Sequence, residues 1–338
     1  MNDYTKILLA DSPEALSEAA ELIKSGQVVA IPTETVYGLA ANAFDQTAVK
    51  RIFEAKGRPQ DNPLIVHLHS IEAVSEVAKE VPKLARKLFS AFSPGPLTIV
   101  LPKKKEVPYI TSGGLETVGV RIPDNENVRE LIKLCGVPLS APSANISGKP
   151  SPTTAAHVYD DLQGKIPLIL DGGVCRVGLE STVISLDGDR IKILRPGKVT
   201  AKMLSEYGEV IIDKGVTESV SEMKKPTSPG MKYKHYAPEC DITIIEGSLD
   251  EFIGYFNNNA DEKTFALMFD DDIFDIKNRI NYGNESEFFS LLRELDKKGI
   301  KKVFARCPIK DAQLALYNRL IRAAGYKIIN ANSFSEVR

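Results

Sequence analysis

The chain has 338 residues, 43% hydrophobic and 26% charged, with a formal net charge of -2 at pH 7. That is an ordinary globular composition, long enough for two domains with ample core. Near-neutral charge argues against a broad nucleic-acid or membrane surface, so no stable nucleic-acid complex is expected, and no apolar run is long enough to span a bilayer.

Met1-Asn-Asp-Tyr4 carries no apolar signal region, which points to the cytoplasm. Ser12-Pro13-Glu14 opens a helix with an N-cap and a proline in the first turn, and Gly26 closes it. Val28 to Ile31 reads as a buried strand ending in the hydroxyl-rich loop Pro32-Thr-Glu-Thr-Val-Tyr-Gly-Leu39, which carries one carboxylate. Asp45 to Ala55 reads as a helix, with Asp45 as N-cap, apolar Val49, Ile52 and Phe53 at helical spacing, and Gly57 where a left-handed C-cap belongs. Lys56 therefore leaves at the helix end, and Arg58 is held stiffly before Pro59. Leu64 to Leu68 suits a short buried strand; helical patterns follow over 71–79 and 83–92, and Leu97 to Leu101 is a strand.

Lys103-Lys-Lys105 reads as a solvated loop. Thr117 to Pro123 alternates like a strand, and Arg121 falls in it. An arginine there needs a partner, because an unpaired buried charge is costly; a core carboxylate and a ligand carboxylate are both possible. Pro138-Leu-Ser-Ala-Pro-Ser-Ala-Asn145 begins as a strand and becomes a loop of small polar groups that let a ligand approach the backbone. A helix follows over 153–162, with Ser151 or Thr153 near its anion-favouring start. Strands are expected over 166–170, 183–186 and 191–194, the last two joined by the Asp187-Gly-Asp189 hairpin turn and the last delivering Arg195; a helix over 200–207 closes the first domain. Residues 1–208 thus form an α/β or α+β body with a many-stranded sheet.

Residues 209–240 read as a linker, yet Ser228-Pro-Gly-Met-Lys-Tyr-Lys-His-Tyr-Ala-Pro238 is too aromatic and basic for a merely flexible one. Extended, it would put Lys232, Lys234 and Tyr236 on one face, suited to phosphates and an adenine or ribose, so the segment is a candidate lid over the active site. From Asp241 to Arg338, strands (242–245, 265–269, 300–305, 326–329) alternate with helices (249–256, 285–298, 311–324). That is a small Rossmann-like α/β domain with a parallel sheet, lacking a glycine-rich phosphate fingerprint.

The candidate chemistry lies in the first domain. Lys56, Arg58, Arg121 and Arg195, with Thr33, Thr35, Ser140, Ser143, Ser151, Ser181, Asn62 and Asn145, form a set of cations, hydroxyls and amides. Such a set suits anions, and phosphoryl chemistry is largely positioning and charge stabilisation. There is no P-loop and no serine elbow. Cys135, Cys175, Cys240 and Cys307 lie far apart with no Cys-x-x-Cys pair, and His67 with His69 lacks a third ligand, so metal and redox readings are disfavoured.

These motifs, with Ser181-Thr-Val183 and Arg195-Pro-Gly197, occur in the order seen in the YrdC-like threonylcarbamoyl-AMP synthases, and the chain resembles that family in its long two-domain form. The resemblance implies a twisted, concave mixed sheet. It implies a nucleotidyltransferase reaction in which L-threonine, bicarbonate and ATP give threonylcarbamoyl-adenylate and pyrophosphate, with magnesium on the phosphates and no metal ligand from side chains. Separate proteins would then transfer the threonylcarbamoyl group to an adenosine beside the anticodon of certain tRNAs. Lys56, Arg58, Ser143 and Asn145 match the family's signature tetrad. Thr35, His67, Arg121, Ser181 and the backbone at Ala141 match threonine-contacting positions. Arg58, Asn62, Thr117, Ser143, Ser151, Arg195 and Tyr236 match nucleotide-contacting ones. Two rivals are a carbamoyltransferase of the hydrogenase-maturation kind, whose cysteine-rich zinc modules are absent here, and a non-catalytic RNA-binding module.

Overall fold

The computed structural model describes residues 4–218, 236–310 and 312–331. The chain divides into two compact units, one built mainly from residues up to Val216 and one from Tyr236 onward, with Gly148–Pro150 and 217–218 grouped with the second.

In the first unit the elements run β1 (Lys6–Leu9), α1 (Pro13–Lys24), β2 (Val29–Ile31), β3 (Gly38–Asn42), α2 (Gln46–Lys56), β4 (Ile65–His67), α3 (Val74–Val77), α4 (Lys83–Phe92), β5 (Leu97–Pro102), β6 (Thr117–Arg121), α5 (Glu126–Cys135), β7 (Leu139–Ser140), α6 (Ala155–Leu162), β8 (Leu168–Asp171), β9 (Thr182–Asp187), β10 (Arg190–Arg195), α7 (Ala201–Leu204) and β11 (Glu209–Ile212). Among the described residues the eleven strands of this unit join one mixed sheet in the order β1-β8-β2-β3-β7-β4-β6-β5-β9-β10-β11.

Local chemistry accounts for the helix that positions Lys56. The Asp45 carboxylate accepts the N–H groups of Thr47 and Ala48, and Gly57 ends α2 in the left-handed region at φ 59°. The pleat sorts the sheet's centre. Val66, Val120, Ile99 and Ile184 are lateral neighbours across β4, β6, β5 and β9, and they pack into one core with Leu84, Ala85, Leu88 and Phe89 of α4. One residue along, His67, Arg121 and Thr98 are neighbours on the opposite face, beside Val183.

Several expectations need correction. Glu209–Ile212 is not linker but an edge strand paired parallel with β10, so the first unit continues past Gly208. Its exposed pattern hides the strand from a burial-based reading. The helices expected over 71–79 and 200–207 shrink to single turns in α3 and α7. Strand β1 and helix α5 were not anticipated, although α5 carries an Asn125 N-cap and a left-handed Gly136.

The second unit contains β12 (Asp241–Glu246), α8 (Leu249–Asn259), β13 (Thr264–Met268), β14 (Arg279–Asn281), α9 (Phe288–Lys297), β15 (Lys302–Arg306), α10 (Leu314–Ala323) and β16 (Ile328–Asn330). Its sheet, ordered β14-β13-β15-β12-β16, is parallel throughout, as the alternation of strand and helix predicts. The expected lid lies largely in 219–235, outside the described residues.

Candidate active site

Lys56, the last residue of α2, is buried. Its Nζ donates to the carbonyls of Ser143 and Asn145, the latter at 2.6 Å, and lies 3.4 Å from Asn145 Oδ1. Ser143 Oγ donates to Asn145 Oδ1 at 2.6 Å, and Asn145 Nδ2 donates to Ile146 O at 2.9 Å. Lys56, Ser143 and Asn145 are therefore one hydrogen-bonded network. The chain passes close to β3 here: a Cβ on Gly38 would meet Ala141 Cβ at 3.2 Å. Arg58 is half-buried and turns back on its own loop, with Nη2 3.4 Å from Asn62 O and 3.2 Å from Pro63 O.

A second group sits on the polar face of the sheet. His67 and Arg121 are register partners on β4 and β6, and Thr98 pairs with Arg121 from β5. Burial, reinforced by the Arg121 charge, pushes the His67 imidazole down to about 3, so it is neutral near pH 7. Thr98 Oγ1 and Ser181 Oγ are 2.8 Å apart. Arg195 donates from Nε to Ser181 O and from Nη2 to Ser181 Oγ, both at 3.1 Å. Polar side chains thus follow one another along this face: Arg121 and Thr98 as register partners, then Thr98, Ser181 and Arg195 through hydrogen bonds.

The turn after β2 is held by Thr33. Its hydroxyl accepts the N–H groups of Thr35 and Val36 and donates to Val36 O at 2.6 Å. The Thr33 and Thr35 hydroxyls lie 2.9 Å apart. Arg121 meets a core carboxylate: Nη2 lies 2.7 Å from Glu34 Oε1.

Other expected residues are more scattered. Ser151 donates to Glu180 Oε1 at 2.6 Å. Thr117 shares the face of Arg121 but starts β6, four residues away, or about 13 Å along an extended strand. Ala141 N donates to Ile65 O at 3.0 Å. Tyr236 belongs to the second unit, where its ring lies 5.1 Å from that of Phe289 and 5.7 Å from the Arg319 guanidinium. Three buried residues were not singled out as site residues: Glu34, Thr98 and Glu180. Each had a signal in its setting, a charge or hydroxyl inside an apolar strand or a motif.

The family model described as "Telomere recombination" (Sua5_yciO_yrdC) matches residues 21–197, and that described as "Threonylcarbamoyl-AMP synthase, C-terminal domain" (Sua5_C) matches residues 199–325. The chain is 45% identical to the threonylcarbamoyl-AMP synthase of Pyrococcus abyssi over 92% of its own length and 94% of that protein's. It is 40% identical to the Bacillus subtilis protein of the same name, covering 97% of each. The crystal structure of P. abyssi Sua5 complexed with L-threonine superposes with a TM-score of 0.87 at 42% identity, covering 96% of this chain and 99% of that one.

Proposed function

The chain belongs to the threonylcarbamoyl-AMP synthase family in its long, two-domain form, and we propose that its first unit joins L-threonine, bicarbonate and ATP into threonylcarbamoyl-adenylate with release of pyrophosphate. The observation that carries this reading is the row of polar groups on one face of the sheet, Arg121 beside Thr98 and the hydrogen-bonded Thr98, Ser181 and Arg195, which sets a cation suited to a carboxylate near one suited to a nucleotide.

The chemistry asks for what these residues supply. Threonine's amine attacks the carbon of bicarbonate, giving a carbamate and water. A carbamate oxygen then attacks the α-phosphorus as pyrophosphate leaves. Both partners are anions and repel until cations neutralise them, and alignment supplies much of the remaining acceleration. Lys56, fixed by the carbonyls of Ser143 and Asn145, is held rigidly for that role, and Arg58 sits on the adjoining loop. Arg121, Thr35, His67, Ala141 and Ser181 serve the amino acid; Asn62, Thr117, Ser151 and Arg195 serve the nucleotide.

Magnesium would come bound to the ATP phosphates and would help neutralise their charge. The side chains gathered here are mainly cations, hydroxyls and amides, with Glu34 facing Arg121 and Glu180 accepting from Ser151, and among the described residues no group of three or more His, Cys, Asp or Glu is placed to hold a metal ion. The product passes to separate proteins that modify tRNA. Among the described residues no helix is long and apolar enough to cross a membrane, and the reading places the enzyme in the cytoplasm.

Pyrophosphate release tests the reading. Release should require ATP, threonine and bicarbonate together; release that is indifferent to threonine would overturn it.

A further inference from the structure

Glu34 and Arg121 reach each other from the turn after β2 and the end of β6, and they are only 5% and 4% exposed. Glu34 Oε2 is anchored by the Asp124 N–H at 3.0 Å, and Arg121 Nε donates to Gly95 O at 3.3 Å. Their facing atoms, Oε1 and Nη2, are 2.7 Å apart, yet the approach leaves neither in a hydrogen bond. Both side chains are thus held at one end, with unspent hydrogen-bonding capacity where they face each other. Unmade hydrogen bonds on buried charges are costly.

Charge balance says what such a pair would accept. If Arg121 received only a carboxylate, that anion, Glu34 and Arg121 would leave one net negative charge in a buried place. A zwitterion brings its own ammonium, and the sum returns to zero. The groups next to the pair do not supply that positive charge, and Arg195, the next cation along the face, is turned to Ser181. His67 is neutral near pH 7, burial pushes the Cys175 thiol up to about 12, and Asp124 turns to Arg176 at 2.6 Å.

We propose that Glu34 and Arg121 form a receptor for the two charges of an α-amino-acid zwitterion, Arg121 meeting the carboxylate and Glu34 the ammonium. Glu34 is then a specificity-determining residue that selects an amino acid over the corresponding hydroxy acid. The inference rests on the functional reading above for the identity of the amino acid.

Calorimetry on the full chain tests it, with L-threonine and its 2,3-dihydroxybutanoate analogue, in which a hydroxyl replaces the ammonium. The wild type should bind threonine at least about 30-fold more tightly, because a buried charge left unmatched is expensive. Glu34→Gln keeps an acceptor for the Asp124 N–H and nearly the same volume. It should bind threonine about 30-fold more weakly while holding the hydroxy acid as well as, or better than, the wild type does. Equal weakening of both ligands would overturn the proposal, since Glu34 would then merely hold Arg121. Tighter threonine binding by the variant would overturn it too, by making Glu34 a competitor of the ligand's carboxylate. Should the variant not fold, the wild type decides alone: equal affinity for the two ligands is fatal and a strong preference for threonine sustains the proposal. A wild type that binds neither ligand, with or without ATP, overturns the functional reading itself.

Discussion

On one face of β4, β6, β5 and β9, Val66, Val120, Ile99 and Ile184 lie side by side against α4; one residue along, on the other face, His67, Arg121 and Thr98 lie beside Val183. The two faces share a backbone and differ only in the parity of the strand. The apolar face draws stability from burial, about 25 cal/mol per Å² of apolar surface. The polar face works against it, and the suppressed basicity of His67 is the direct sign of that cost. One face therefore holds the sheet together while the other keeps polar groups buried, and it is there that the proposed function sets its chemistry.

If that division is right, substitutions on the two faces separate stability from activity. The largest effect belongs to the apolar side. Phe89→Ala removes a fully buried ring from α4 and should lower unfolding stability by about 3–5 kcal/mol, read by denaturant titration, while threonine affinity of the folded protein stays unchanged. Arg58→Ala, beside the site, should slow threonine-dependent pyrophosphate release on the order of 10²- to 10³-fold. Its unfolding midpoint should move little; a loss of stability rivalling that of Phe89→Ala would break the comparison.

A ligand change is gentler. Threonine methyl ester should bind about 10- to 100-fold more weakly than threonine, because it gives up a charged hydrogen-bonding partner for Arg121. Equal affinities by calorimetry would remove Arg121 from the amino-acid site.

The smallest effect is a pH dependence. His67 titrates at about 3 in the folded state, against about 6.5 when unfolded. The unfolded chain thus binds more protons between these values. The contribution is fully present above pH 6.5 and is lost as pH falls toward 3. Relative to His67→Gln, the wild type should lose about 1 kcal/mol more stability between pH 6.5 and 5.5. Parallel stability curves would mean that the imidazole is not desolvated on this face.

The parts of the molecule legible from sequence are those set by neighbours along the chain. Asp45 and Gly57 delimit α2, and Asp187-Gly-Asp189 turns β9 into β10, because caps and turns act over a few residues. The alternation after Asp241 foretells a parallel sheet because parallel neighbours need crossovers. The eleven-strand order was not legible, since β1, β8 and β2 meet only through distant pairing. The same limit applies to the site. Lys56 and Asn145 stand out by residue type, but the Thr98–Ser181 contact spans 83 positions and only the fold creates it. Sequence left Arg121 needing a carboxylate; the structure supplies Glu34, a partner drawn from another loop.

The most direct measurement of the central claim is mass spectrometry of the product made from threonine, ¹³C-bicarbonate and ATP. The product should be threonylcarbamoyl-adenylate carrying the label in its carbamoyl carbon, formed together with pyrophosphate. An unlabelled product, a carbamoyl group that arrives only from carbamoyl phosphate, or no adenylate at all would contradict it.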